Sequence, residues 1–264
     1  MSDLTIIQGT IIQLVLALPR FIAALGVSPF FGSQFIGGFS RQIIIIAIAL
    51  VATPLVPLGA EPKFAGTSDA FYFVALLTKE VLIGVVIGLA TGLPFWIAEG
   101  FGFFIDNQRG SSMAEMFNPM SETTTSPLGL LFTKVLDVVF FVGGGFHAFL
   151  NVMYDSFTIW PVFTPLPAIS SRFPTACLAL ADHLLSSIVL FAGPVIFAMF
   201  LAEFGLGLIN RFSPQLNVFF LAMPIKSAIS DLLLIVYIYF LSSLFQKEFI
   251  DGDKLRAAFK VIFQ

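Results

Sequence analysis

Residues 203–226 read EFGLGLINRFSPQLNVFFLAMPIK and lie between two long apolar runs, 184–202 and 217–241. That position puts the stretch at or within membrane depth. Yet it carries Glu203, Asn210, Arg211, Gln215, Asn217 and Lys226, together with Pro214 and Pro224. A charge at the centre of a spanning helix costs roughly 2.5–3.5 kcal/mol on insertion scales. Proline removes a backbone donor that hydrocarbon cannot replace. Such a segment persists only where protein or a water-filled cavity surrounds it. The expectation is a helix–break–helix turn buried in an assembly.

The surrounding chain supports a bilayer setting. Of its 264 residues 58% are hydrophobic and 11% charged, with a mean hydropathy of +0.97. Soluble domains run near a quarter charged, so an all-α integral membrane protein is expected. No polar stretch is long enough to build a soluble domain. A net charge of −3 with no basic face argues against nucleic acid. The single cysteine, Cys177, permits no internal disulfide. His147 and His183 lack metal-ligand spacing, and no nucleophile–base pair or H-E-x-x-H motif stands out. Neither an enzyme nor a cofactor is expected. Asp3 stands where a secretory signal carries basic residues, so residues 4–18 read as a retained helix.

About six hydrophobic segments follow from the pattern. The first, 4–24, contains Pro19 and Arg20, and 28–32 is a break. The second, 43–56, is short for a ~20-residue span. Prolines make 53–69 a loop. The third, 71–99, carries Lys79 and Glu80, then Gly84, Gly88 and Gly92 on one face, the spacing that lets helices pack closely. If that helix continues to Gly110, Glu99, Gly102, Asp106 and Arg109 form a polar stripe, in which Asp106 and Arg109 can pair at i, i+3. The stripe reads either as a solvated helix end or as a face toward another subunit or a polar conduit. Residues 111–127 are a polar loop.

The fourth segment, 128–154, is weakened by Gly143-Gly144-Gly145 and contains His147, read as a packing residue rather than a proton relay. Residues 155–182 read as a proline-rich connection, 184–202 as the fifth segment, and the last run to 241 as the sixth. Asp231 does not share a helical face with Lys226, so each needs a partner from elsewhere, and Glu203 or another subunit are candidates. The basic tail 246–264 is amphipathic. Basic residues mildly favour cytoplasmic termini.

LALPRFIAALGVSPFFG at 16–32, KEVLIGVVIGL at 79–89, GFGFFIDNQRG at 100–110, SPLGLLF at 126–132 and LAEFGLGLINRFSPQLNVFFLAMPIKS at 201–227 resemble the T component of the type III secretion export apparatus. The flagellar export machinery has a counterpart. The resemblance runs in order along nearly the whole chain, and its wording is closer to the injectisome branch. It implies a non-enzymatic subunit of kinked helical hairpins in a helical, multi-subunit export gate, in the bacterial inner membrane within the basal body. The implied partners are the R, S and U components, transient unfolded effector proteins and membrane lipids. It also implies an R-like part, 1–180, followed by an S-like hairpin and tail, 181–264. Carried over by motif, Asn210, Arg211, Pro214, Gln215, Asn217 and Lys226 shape the turn of the S-like hairpin. Glu203 holds a cation there, and Asp106, Arg109 and Gly110 shape the turn of the R-like part. The alternative is a small-molecule or ion secondary transporter, which also uses broken helices and buried charge. Against it, no repeated inverted halves are visible.

Overall fold

The computed structural model describes residues 2–32, 37–57, 67–110, 126–164, 173–213 and 217–250. All its regular structure there is helical. Seven α-helices follow in order: α1 (Ser2–Val27), α2 (Gly38–Val51), α3 (Thr67–Arg109), α4 (Pro127–Val142), α5 (Gly145–Ile159), α6 (Phe173–Phe212) and α7 (Val218–Ile250). Single turns of 3₁₀-helix at Pro29–Phe31 and Thr53–Leu55 end α1 and α2. The protein is a multi-pass membrane protein. Four helices, α1, α3, α6 and α7, are long and apolar enough to span a bilayer, five spans if the broken pair α4–α5 counts as one. At 14 residues α2 is shorter than a span needs.

The sequence pattern located all six segments but misjudged several of their borders. The connection expected over 155–182 is much shorter, because α5 runs to Ile159 and α6 begins at Phe173. Pro174 had signalled a loop. It stands in the first turn of α6, where proline's missing N–H costs nothing. The break expected within 203–226 is confined to the residues between Phe212 and Val218. Glu203, Asn210 and Arg211 therefore ride on α6, and Lys226 on α7.

Two compact units form, interleaved along the chain. One is drawn from Met1–Leu93 and Gly144–Cys177, the other from Pro94–Gly143 and Leu178–Ile250. This partition differs in kind from the repeat-like division near 180, which rests on resemblance.

In the first unit α1 and α3 approach backbone to backbone. A Cβ on Gly84 would overlap the carbonyl oxygen of Arg20, and one on Gly88 would lie 2.6 Å from that of Ala24. Both carbonyls belong to α1, so two members of the glycine ladder act as the spacing suggested. Phe21 stacks on Phe157 and Phe30 meets Phe149 edge-on, tying α1 and its 3₁₀ turn to α5. Gln13 Nε2 donates to Val56 O at 2.7 Å and closes the far end.

In the second unit Gly102 of α3 faces Gly129 of α4, and a Cβ on Gly102 would overlap the Gly129 backbone nitrogen. Phe101 packs on Phe132 and Phe95 on Phe140, with centroids 4.7 and 5.3 Å apart. Aromatic pairs at such separations add to area burial. The hairpin α6–α7 is different: only 22% of each spanning window is buried. Phe200, Phe204, Phe212, Ile235 and Val236 are exposed.

Candidate functional site

Among the described residues, three sets of ionic groups stand out. The first lies in the first unit and is the most deeply buried. Arg20 of α1 and Glu80 of α3 are wholly inaccessible, and Lys79 is 3% exposed. Arg20 Nε donates to Glu80 Oε2 at 2.7 Å, Nη1 donates to Ser156 Oγ at 2.8 Å, and Nη2 to Trp160 O at 3.0 Å. Its guanidinium carbon lies 3.9 Å from the centre of the Phe157 ring, a cation–π contact. Lys79 Nζ is 3.1 Å from Glu80 Oε1 and donates to the carbonyls of Pro161, Val162 and Thr164 at 3.1, 2.5 and 3.2 Å.

Two cations and one anion leave an excess positive charge in an apolar interior. Carbonyl oxygens at the end of α5 and just beyond it offset that charge, where the helix macrodipole is negative. The arrangement staples α1, α3 and the 160–164 segment together. It is chemically a brace: the donors are spent on fixed acceptors, and the Ser156 hydroxyl itself donates to Met153 O at 2.5 Å.

The second set closes the α3–α4 turn. Asp106, 2% exposed, is 2.7 Å from Arg109 Nη2 and accepts from Leu128 N at 2.9 Å and from the Ser126 hydroxyl. Ser126 in turn caps α4 by accepting from Gly129 N at 2.8 Å. A carboxylate thus steadies the N-cap of the next helix, where negative charge is favoured. Arg109 Nη1 also donates to Asp231 on α7 at 3.1 Å. Gly110 ends α3 at φ +89°, a left-handed conformation that suits glycine. The polar stripe is thereby resolved: Glu99 is exposed, whereas Gly102, Asp106 and Arg109 meet other parts of the same unit.

The third set braces α6 against α7. Lys226 Nζ donates to Glu203 Oε2 at 3.1 Å. Glu203 therefore holds a cation, and Lys226 sits well inside α7 rather than at the turn. Asn210, Arg211 and Asn217 flank the turn and are exposed. Pro214 and Gln215 lie outside the described residues.

Reasoning from sequence flagged the second and third sets and missed the first as a unit. The signal was present in the single cation of α1 and the adjacent charges in α3. What it lacked was any trace of the carbonyl acceptors, which every residue carries. Asp137 of α4 reads in the sequence only as marking, with Lys134, the start of the fourth segment. It is 6% exposed, and neither carboxylate oxygen has a hydrogen-bond partner among the described residues. His147, expected to pack, is exposed.

Comparison with known proteins places these features in context. The family model described as bacterial export proteins, family 1, matches residues 11–251. Yop proteins translocation protein T of Yersinia pestis is 42% identical over 88% of each chain. Secretion system apparatus protein SsaT of Salmonella typhimurium is 37% identical over 69% of this chain and 71% of its own. Flagellar biosynthetic protein FliR of Pectobacterium carotovorum is 27% identical over 78% and 76%.

Proposed function

We propose, on the premise that this chain belongs to family 1 of the bacterial export proteins, that it is the T-type membrane subunit of a type III secretion export gate. The observation that carries this reading is 42% identity to a Yop translocation protein along 88% of the chain. Its relatives are export-apparatus proteins, which removes the small-molecule transporter from consideration.

The subunit sits in the inner membrane beside R and S components and a U component, around a path for unfolded effectors. Its first 180 residues act as an R-like part and the remainder as an S-like hairpin. A portal subunit needs rigid internal joints and apolar outer faces that sister chains can cover. The buried ion sets supply the joints. The thinly covered α6–α7 hairpin supplies the faces. Asn210, Arg211 and Asn217, with Pro214 and Gln215 between them in sequence, meet a neighbouring subunit or the conduit, while the Glu203–Lys226 pair fixes the register of the two helices. Asp106, Arg109 and Gly110 set the turn of the R-like part.

The test is extraction of tagged protein from membranes in mild detergent, followed by identification of what co-purifies. Two smaller export membrane proteins are the expected companions. A stable, monodisperse homo-oligomer with no companions sinks the proposal.

A further inference from the structure

Asp137 is a titratable group that the three ionic sets leave unused. It stands in the second half of α4, 16 residues that are too short to span a bilayer alone. The residue is 6% exposed, and both carboxylate oxygens are sealed from solvent without a hydrogen-bond partner among the described residues. Along the helix it lies between Phe132 and Phe140, whose rings pack on Phe101 and Phe95 of α3. Its neighbours in sequence are Leu136, Val138 and Val139.

A carboxylate in such surroundings either finds a cation or gives up its charge. The charged side chains described around it face solvent or serve other partners. On α4 itself Lys134, three residues earlier, is exposed and offsets the charge only in part. On α3, Glu99 is exposed, while Asp106 and Arg109 serve the start of α4, more than two helical turns from Asp137. On α7, which also packs on α4, Lys226 holds Glu203 and Asp231 holds Arg109. On α6, the remaining helix of this unit, Asp182, His183, Glu203 and Arg211 are exposed. A metal ion needs several ligands, and no group of three candidate ligands gathers among the described residues.

The one ligand small enough for a sealed carboxylate is a proton. We infer that Asp137 is a proton-binding site: the fold holds its carboxyl as a neutral acid at pH values where exposed carboxylates are ionised, and its ionisation requires α4 to turn the group toward water. The packing of α4 on α3 is then firmest in acid and loosens as pH rises. In the unfolded chain the same side chain releases its proton at the ordinary aspartate value, about 4. The fold keeps the proton bound to higher pH. The stability it carries is therefore complete below the unfolded value. It falls as pH rises toward the folded value, by up to about tenfold in the folding constant per pH unit.

Infrared difference spectroscopy of the full chain, purified with its companions in mild detergent, tests this at about pH 5, where exposed carboxylates are ionised. The wild type should show the C=O stretch of a protonated carboxyl. Asp137→Asn should lose that band, and Asp137→Glu should keep it at a shifted frequency. Lys134→Gln, which removes the nearest cation, should leave it in place. Thermal unfolding gives a second readout: as pH rises from about 4 toward neutral, the wild type should lose Tm relative to Asp137→Asn. An identical band in wild type and Asp137→Asn, or Tm curves of the two that run parallel, overturns the site. So does a band that appears only in Lys134→Gln, which would mean that the lysine keeps the carboxylate ionised. If neither Asp137 variant folds, the wild-type spectrum decides: a protonated-carboxyl band that fades as pH is raised upholds the site, and its absence at about pH 5 overturns it.

Discussion

Among the described residues Glu80 is the one anion paired with the buried cations Arg20 and Lys79, so its charge matters more than its size. Glu80→Gln keeps the volume but leaves Arg20 and Lys79 uncompensated. Breaking a buried pair this way costs about 3–5 kcal/mol. Near 260 residues that lowers Tm by about 10 °C, readable by thermal unfolding in detergent. Replacing all three charges together, Arg20→Met, Lys79→Met and Glu80→Leu, should recover much of the loss, because the desolvation cost disappears with them. Asp137 is the opposite case. It is buried, its oxygens accept no hydrogen bond among the described residues, and Lys134, three residues earlier, offsets its charge only in part. Asp137→Leu should leave Tm unchanged or raise it; a drop of several degrees would show that the carboxylate has a stabilising partner. Individual charges were legible in the sequence, and so was the Glu203–Lys226 possibility. Arg20 was not matched to Glu80, because helical periodicity says which residues share a face and nothing about which face turns toward which helix.

At the scale of elements, close helix approach decides the cost of a single methyl. Gly84→Ala pushes a Cβ into the Arg20 carbonyl, which is backbone and cannot swing away. Overpacking of this kind costs about 1–3 kcal/mol and outweighs the roughly 1 kcal/mol gained from better helix propensity. In Gly205→Ala nothing lies within 4 Å, so only the propensity gain remains. The two variants should move Tm in opposite directions. Gly110→Ala should destabilise too, since φ +89° is unfavourable for alanine. The six apolar runs translated into helices, Gly143-Gly144-Gly145 into the bend between α4 and α5, and Gly84 and Gly88 of the ladder into contacts with α1. The start of α6 did not, because Pro174 reads identically as a loop residue and as a first-turn residue.

For the whole molecule, the contrast between braced units and a thinly covered hairpin separates stability from assembly. Phe204→Ala and Phe212→Ala remove exposed rings and create no cavity. The isolated subunit should melt within about 0.5 kcal/mol of the parent, while co-purification of partners and secretion should fall. Arg211→Ala and Lys226→Ala should likewise impair secretion; normal export by both would end the assignment of the α6–α7 tip and brace to the gate. The stapled cluster has a further consequence in time. Arg20 finds its carboxylate 60 residues later and its last acceptor 140 residues later. While the ribosome is still at work, the first helix enters the translocon with a bare guanidinium. It can settle only once α5 has emerged. Chains stopped short of Trp160 should therefore linger on insertion factors and be cleared by membrane proteases, whereas those released just beyond Thr164 should persist.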